Sequence, residues 1–268
     1  MSDSTHVLKN NPKVLFIFLL TLFFVTTSFG IPIYLSLYLF VLCLGFTVLA
    51  DLLFTFFRRR TFFIPYSAII TGLIIALIID LSASWYQILA ICLAAMGMKN
   101  FVRISGRHIL NPAASGLIVG WVIFDLYPSW WAATLYTPEA FTIPNVLLML
   151  SLLALGFVSC HRYKKYHTVI SFLLFFSILS VLFSSSFSAK SLISVFISPG
   201  ILFYTIVMVA EPMTSPVNKQ RQTLHGFFVA LMSALFVLAI QKNILPSNMP
   251  DSSLLALLLG NLLFFKYR

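Results

Sequence analysis

Apolar residues in this chain come in long unbroken runs cut by short polar punctuation, rather than alternating with polar ones at the period of a soluble helix or strand. Cutting at charges, prolines and polar clusters leaves apolar segments near residues 14–29, 32–57, 66–80, 84–98, 109–125, 144–160, 168–187, 191–210, 224–241 and 252–266. Runs such as LFIFLLTLFFV show no period of two, so they do not suit barrel strands. Unpaired backbone groups are costly in hydrocarbon, and all ten segments are therefore read as helices. Each crossing needs about 20 apolar residues, so ten crossings with short loops fit the length. The predicted fold class is an all-α polytopic membrane protein of ten helices.

Composition agrees: 60% of the residues are hydrophobic, 9% are charged, and the mean hydropathy is +1.00, which excludes an ordinary soluble domain. The run after Lys13 lacks a small-residue cleavage site and is expected to be a retained first helix. Cys43, Cys92 and Cys160 are far apart and read as small buried fillers.

The formal charge of +10 would suggest nucleic acid for a soluble chain. Here Lys and Arg sit in brief clusters between apolar runs, so no nucleic-acid partner is expected; they read as topology signals and contacts to the lipid bilayer. With the N-terminus cytoplasmic and ten crossings, 15 of the 17 Lys and Arg fall inside and only Lys190 and Lys242 outside. The longest outer loop, 126–143, carries Tyr127, Trp130, Trp131 and Tyr136 but no Lys or Arg, as a translocated aromatic belt should. Both termini are expected on the cytoplasmic side of the cell membrane.

Five segments per half is an odd number, so the second half enters in the opposite sense, which is the arithmetic of an inverted repeat. The expected division is a tail 1–13, a first five-helix repeat 14–125, the loop 126–143 and a second five-helix repeat 144–268. TGLIIALIID (71–80) lies over YTIVMVAEP (204–212), each running into an acid. The stretch Ser67 to Asp80 spans roughly 21 Å as a helix against a core of about 30 Å, so it is expected to be broken or partly re-entrant.

Two segments place Pro and polar groups at membrane depth. In Gly106–Gly116, Pro112 lacks an N–H and disfavours helix at Asn111, which frees backbone groups for a ligand. The same residues also read as a helix start with Asn111 as N-cap, and a helix start suits an anion too. In Glu211–Pro216 a helix ends at a proline-locked polar turn. Intramembrane acids are costly, so Asp51, Asp80 and Glu211 are candidates. For Asp51 a neighbouring hydroxyl or the Arg58–Arg60 cluster is the favoured partner, a structural role. The histidines His108, His161, His167 and His225 avoid mid-helix positions, which argues against haem.

HILNPAASG (108–116) resembles the Phe-Asn-Pro-Ala signature of the RnfD/NqrB family, membrane subunits of Rnf and sodium-pumping NADH:quinone oxidoreductase complexes. VMVAEPMTSPVNKQRQTLHG (207–226) is similar to that family's second signature, SAIITGLIIAL (67–77) to its first-repeat helix, and LLLGNLLFFKYR (257–268) to its final helix. The resemblance implies two inverted five-helix halves with a urea-transporter-like fold and a flavin relaying electrons within an ion pump. On that basis Thr71, Gly72, Arg107, Asn111, Pro112, Ala113 and Ser115, with Glu211, Pro212, Thr214, Ser215 and Pro216, would line the flavin site. The implied partners are other membrane subunits of an Rnf/Nqr-type complex and a peripheral electron-donating subunit; the chain would be a subunit rather than an enzyme alone.

The sequence departs from the family in lacking Ser-Gly-Ala-Thr, the motif that carries covalent FMN: Ser115-Gly116 runs into Leu117. FMN or riboflavin is therefore expected to be held non-covalently. Glu211 stands where Asp is usual, and Arg221 is one position from its expected place. The competing expectation is a passive channel for a small solute, with a continuous polar path near Asp80, Ser115 and Thr214.

Overall fold

The computed structural model describes residues 11–59, 63–134, 142–183 and 194–267. The helices are α1 (Pro12–Ser28), α2 (Ile33–Arg59), α3 (Tyr66–Ile78), α4 (Trp85–Phe101), α5 (Pro112–Phe124), the single turn α6 (Trp131–Thr134), α7 (Ile143–Phe157), α8 (Tyr166–Leu182), α9 (Pro199–Phe203), α10 (Lys219–Gln241) and α11 (Ser252–Phe264). A tight hairpin, β1 (Arg103–Ile104) with β2 (Arg107–His108), joins α4 to α5. Apart from α6, each helix falls on one of the ten apolar segments, so the chain is an all-α polytopic membrane protein. Ile33–Arg58, Ile143–Arg162 and Lys219–Gln241 have the length and hydropathy of full spans. Lys9, Arg60, Lys190, Arg268 and residues 135–141 of the predicted outer loop lie outside the described residues.

Helix starts follow local chemistry. Asn11 and Asn111 each cap a helix whose next residue is proline, and the Asp251 carboxylate accepts from the Ser253 and Leu254 amides at 2.9 Å. The helices are apolar all round. Leu20, Leu39, Ile75 and Leu152 are buried, while Phe18, Val41, Leu150 and Ile170 stand exposed on the outside of the bundle, where acyl chains would cover them.

The helix pairings of the first five segments recur in the second five. α2 packs on α3 and α4 as α8 packs on the stretch Tyr204–Val209 that continues α9 and on α10; α4 packs on α5 as α10 on α11; α1 packs on α3 as α7 on α9. Between the sets, α1 meets α7 and α5 meets α11. The short helices also occupy matching places, α3 and α5 in one set and α9 and α11 in the other. α3, α5 and α11 have 13 residues each, roughly 20 Å, short of a hydrocarbon layer of about 30 Å.

Close approach depends on small residues. A Cβ on Gly116 of α5 would sit 2.7 Å from the Ile91 carbonyl and 2.8 Å from Ala95 Cβ on α4, and one on Gly260 of α11 would sit 2.6 Å from Val229 on α10. Around Gly45 there is open space. Gly116→Val is expected to cost about 1–3 kcal/mol through overpacking, while Gly45→Ala is expected to be neutral or slightly stabilising. Thermal unfolding in mild detergent checks this; equal effects of the two substitutions would contradict the α4–α5 contact.

Candidate functional site

Two stretches of the bundle widen beyond the α-helix, Val158–Arg162 after α7 and Tyr204–Val209 after α9. After Phe203 the helix widens into a π-helical stretch, Tyr204–Val209, in which the Ala210 amide reaches back five residues to the Thr205 carbonyl. The widening leaves carbonyls open to side-chain donors. Ser159 donates its hydroxyl to the Ile206 carbonyl at 2.9 Å, and the Asn111 amide points at the Met208 carbonyl at 3.5 Å. The chain then breaks at Glu211-Pro212.

A second set of contacts pins the turn after the break. Lys165, 3% exposed, donates from Nζ to the carbonyls of Ser215 (3.0 Å) and Pro216 (2.8 Å). Thr214 Oγ1 donates to Glu211 Oε2 at 2.7 Å, and Ser215 Oγ donates to the Glu211 carbonyl at 2.7 Å. Asn261 of α11, fully buried, donates its amide to the Thr214 carbonyl at 3.2 Å and accepts from the Asn111 N–H at 3.0 Å. One side chain thus bridges the two proline-broken segments.

Between these segments lies a cavity of about 470 Å³, inside the range of small-molecule sites. Its walls are apolar: Phe16, Ile70, Ile74, Ile206, Val207 and Ala210. Four cations line it as well, Lys13, Arg58, Lys99 and Arg103, against two acids, Asp51 and Glu211. His108 Nε2 faces Glu211 Oε1 at 3.5 Å. Tyr163, in the turn after α7, also lines the space; burial pushes its hydroxyl up to about 12, so it stays a hydrogen-bond donor at neutral pH.

Asp51 is 1% exposed, and its partners among the described residues are Lys99 and Asn100. Lys99 Nζ donates to Oδ2 at 2.8 Å and Asn100 Nδ2 to Oδ1 at 2.8 Å. Asn100 Oδ1 in turn accepts from Thr55 Oγ1 and Arg58 Nη2.

Of the residues that sequence reasoning proposed, Thr71, Asn111, Pro112, Ala113, Glu211 and Pro212 line this one cavity. The others sit elsewhere. Gly72 is a packing position, where a Cβ would meet Thr47 Oγ1 at 2.5 Å. Ser115 spends its hydroxyl on the carbonyls of Asn111 and Pro112. Thr214, Ser215 and Pro216 hold the turn from behind, and Arg107 lies in a separate groove with Lys266. Sequence reasoning passed over Lys99, Asn100, Ser159, Lys165 and Asn261; the signal available for Asn261 was a lone amide in an apolar run.

Asp80, Ser115 and Thr214 each bond to local partners rather than to one another. Asp80 accepts from the backbone N–H of its neighbour Ser82 at 2.7 Å, and Leu73, Ile75, Leu77, Ile78, Ile88 and Leu117 fill the bundle as buried apolar groups. Lys165→Met would strand two buried carbonyls and remove two charge-assisted bonds. It is expected to lower stability by about 3 kcal/mol and to speed hydrogen exchange at residues 214–217. Unchanged exchange there would show that the ammonium does not hold the turn.

Comparison with known proteins adds the class. No curated protein matches the chain by sequence. The sequence profile described as the NQR2, RnfD, RnfE family matches residues 1–265, from the first residue to the end of α11. With nearly the whole chain inside that match, and both proline-broken segments in place, the chain belongs to the NQR2, RnfD, RnfE family of membrane subunits.

Proposed function

We propose that this chain is an RnfD/NqrB-like subunit of an ion-translocating electron-transport complex and that it holds FMN or riboflavin non-covalently in the cavity between Asn111 and Glu211. The observation that carries this reading is the character of the cavity, apolar walls for a flat ring system combined with a surplus of cations for a phosphate. A bound flavin would supply one- and two-electron chemistry that no side chain here can perform. The residues fit such a group. Thr71, Asn111 and Tyr163 offer polar contacts, Phe16, Ile74 and Ile206 offer apolar surface, and Lys13, Arg58, Lys99 and Arg103 offer positive charge.

The chain's own part is to bind and orient the flavin and to keep it out of bulk water. Peripheral and membrane subunits would deliver and remove electrons. The basic end, where Lys13, Arg58 and Arg103 open onto the cavity and Lys165 and Lys266 lie nearby, would be cytoplasmic with both termini. In this reading the lost Ser-Gly-Ala-Thr threonine is compensated by charge and enclosure.

Protein purified in mild detergent and supplied with flavin should show a bound-flavin visible spectrum that is released on acid denaturation and leaves no fluorescent band on a denaturing gel. FMN should bind at least about tenfold tighter than riboflavin, with the advantage shrinking as salt rises. A colourless preparation with both flavins would overturn the proposal. Single cysteines at residues 5 and 268 should be labelled from the same membrane face by an impermeant reagent; labelling from opposite faces would overturn the orientation.

A further inference from the structure

The four cations of the cavity are not equivalent. Lys13 and Arg58 have exposed side chains, where solvent and salt screen their charge. Arg58 leans on the Asn100 amide oxygen, and Arg103 Nη1 donates to the Lys99 carbonyl at 3.2 Å. Lys99 differs. It sits in the last turn of α4, is 8% exposed, and still lines the cavity. Among the described residues its ammonium makes one hydrogen bond, to Asp51, although an ammonium carries three donors on a flexible stem.

Asp51 is set up as a fixed counter-charge. The Asn100 amide holds its second oxygen at 2.8 Å, and Asn100 is itself fixed by Thr55, Arg58 and the Met96 carbonyl. The carboxylate is therefore anchored on α2 by a network that does not depend on Lys99, while the lysine can turn. The other charged groups facing this pair are Lys13 and Glu211, both lining the same cavity. A buried ion pair contributes little net stability, because desolvation offsets attraction, so the pair calls for another use. A charge buried in low dielectric is also the one whose attraction for an incoming anion is strongest.

We infer that Lys99 is the deep anchor for the anionic end of an amphiphilic guest in this cavity, and that Asp51 is its built-in competitor. With no anion present the ammonium rests on Asp51. An anion attached to an apolar body, such as a phosphate or sulfate ester, draws the ammonium away, and the carboxylate sets how strongly an anion must bind to win. The ligand class follows from the chemistry of the cavity and is independent of the flavin; FMN is one member of it.

The test uses the full-length chain in nanodiscs of zwitterionic phosphatidylcholine, titrated calorimetrically with hexyl sulfate, whose charge does not titrate, and separately with FMN. Asp51→Asn frees the lysine and should bind hexyl sulfate about tenfold or more tighter than the native chain. Lys99→Met should bind it about tenfold or more weaker, the loss of one charge-assisted contact. If Lys99→Met alone does not fold, the double variant Asp51→Asn/Lys99→Met strips both charges and should bind as weakly. Weaker or unchanged binding by Asp51→Asn would overturn the inference, as would binding that survives loss of Lys99.

The two ligands separate this inference from the flavin reading. Hexyl sulfate following the pattern while no variant binds FMN would uphold the anchor and remove the flavin. FMN binding that is indifferent to both substitutions would do the reverse. Failure of the native chain and Asp51→Asn to bind either ligand would overturn both.

Discussion

Hydrocarbon offers no hydrogen bonds, so every backbone group freed at membrane depth must find a partner within the protein. The architecture around the cavity is a solution to that constraint. Pro112 and Pro212 break two segments facing each other, and the π-helical stretch Tyr204–Val209 frees further carbonyls. Ser159, Asn111, Lys165 and Asn261 satisfy these groups from four different segments. Those side chains support the backbone where it leaves the helical path, and a cavity of about 470 Å³ lies between the segments.

That arrangement also explains the unusual mixture of charge and apolar surface in one space. The apolar walls come from α1, α3 and the π-helical stretch Tyr204–Val209. The charge comes from helix ends and from the hairpin Arg103–His108, which gather at the same end of the bundle. Asp51 and Lys99 reach in from α2 and α4, a pair deeper than the rest. Four cations against two acids give the cavity a preference in charge, and its walls give it a preference in shape.

Much of the fold was legible in the linear pattern, because in lipid a helix is a run of apolar residues and little else. The ten runs, the shortness of the helix at Tyr66–Ile78 and the breaks at Asn111-Pro112 and Glu211-Pro212 could all be read directly. Partnership could not. Asp51 and Lys99 are 48 positions apart, and Lys99 looked like one of many charges marking a loop, whereas it is in the last turn of α4. Lys165 was hidden the same way in a basic cluster, though it turns inward to hold carbonyls of a segment 50 residues on. Motif membership likewise did not separate Asn111, which faces the cavity, from Ser115, one turn later, whose hydroxyl is spent on its own helix. Periodicity reports which residues avoid water; it says nothing of which polar group meets which.

The central claim is that the two proline-broken segments enclose a guest with a flat apolar body and an anionic end. A side-chain-resolution map of the protein in nanodiscs with FMN tests it most directly. The account predicts a slab of added density between Asn111–Ala113 and Ile206–Glu211, with its tapered end within hydrogen-bond reach of Lys99. Density for the flavin at any other place in the bundle, or side chains filling that space, would contradict it.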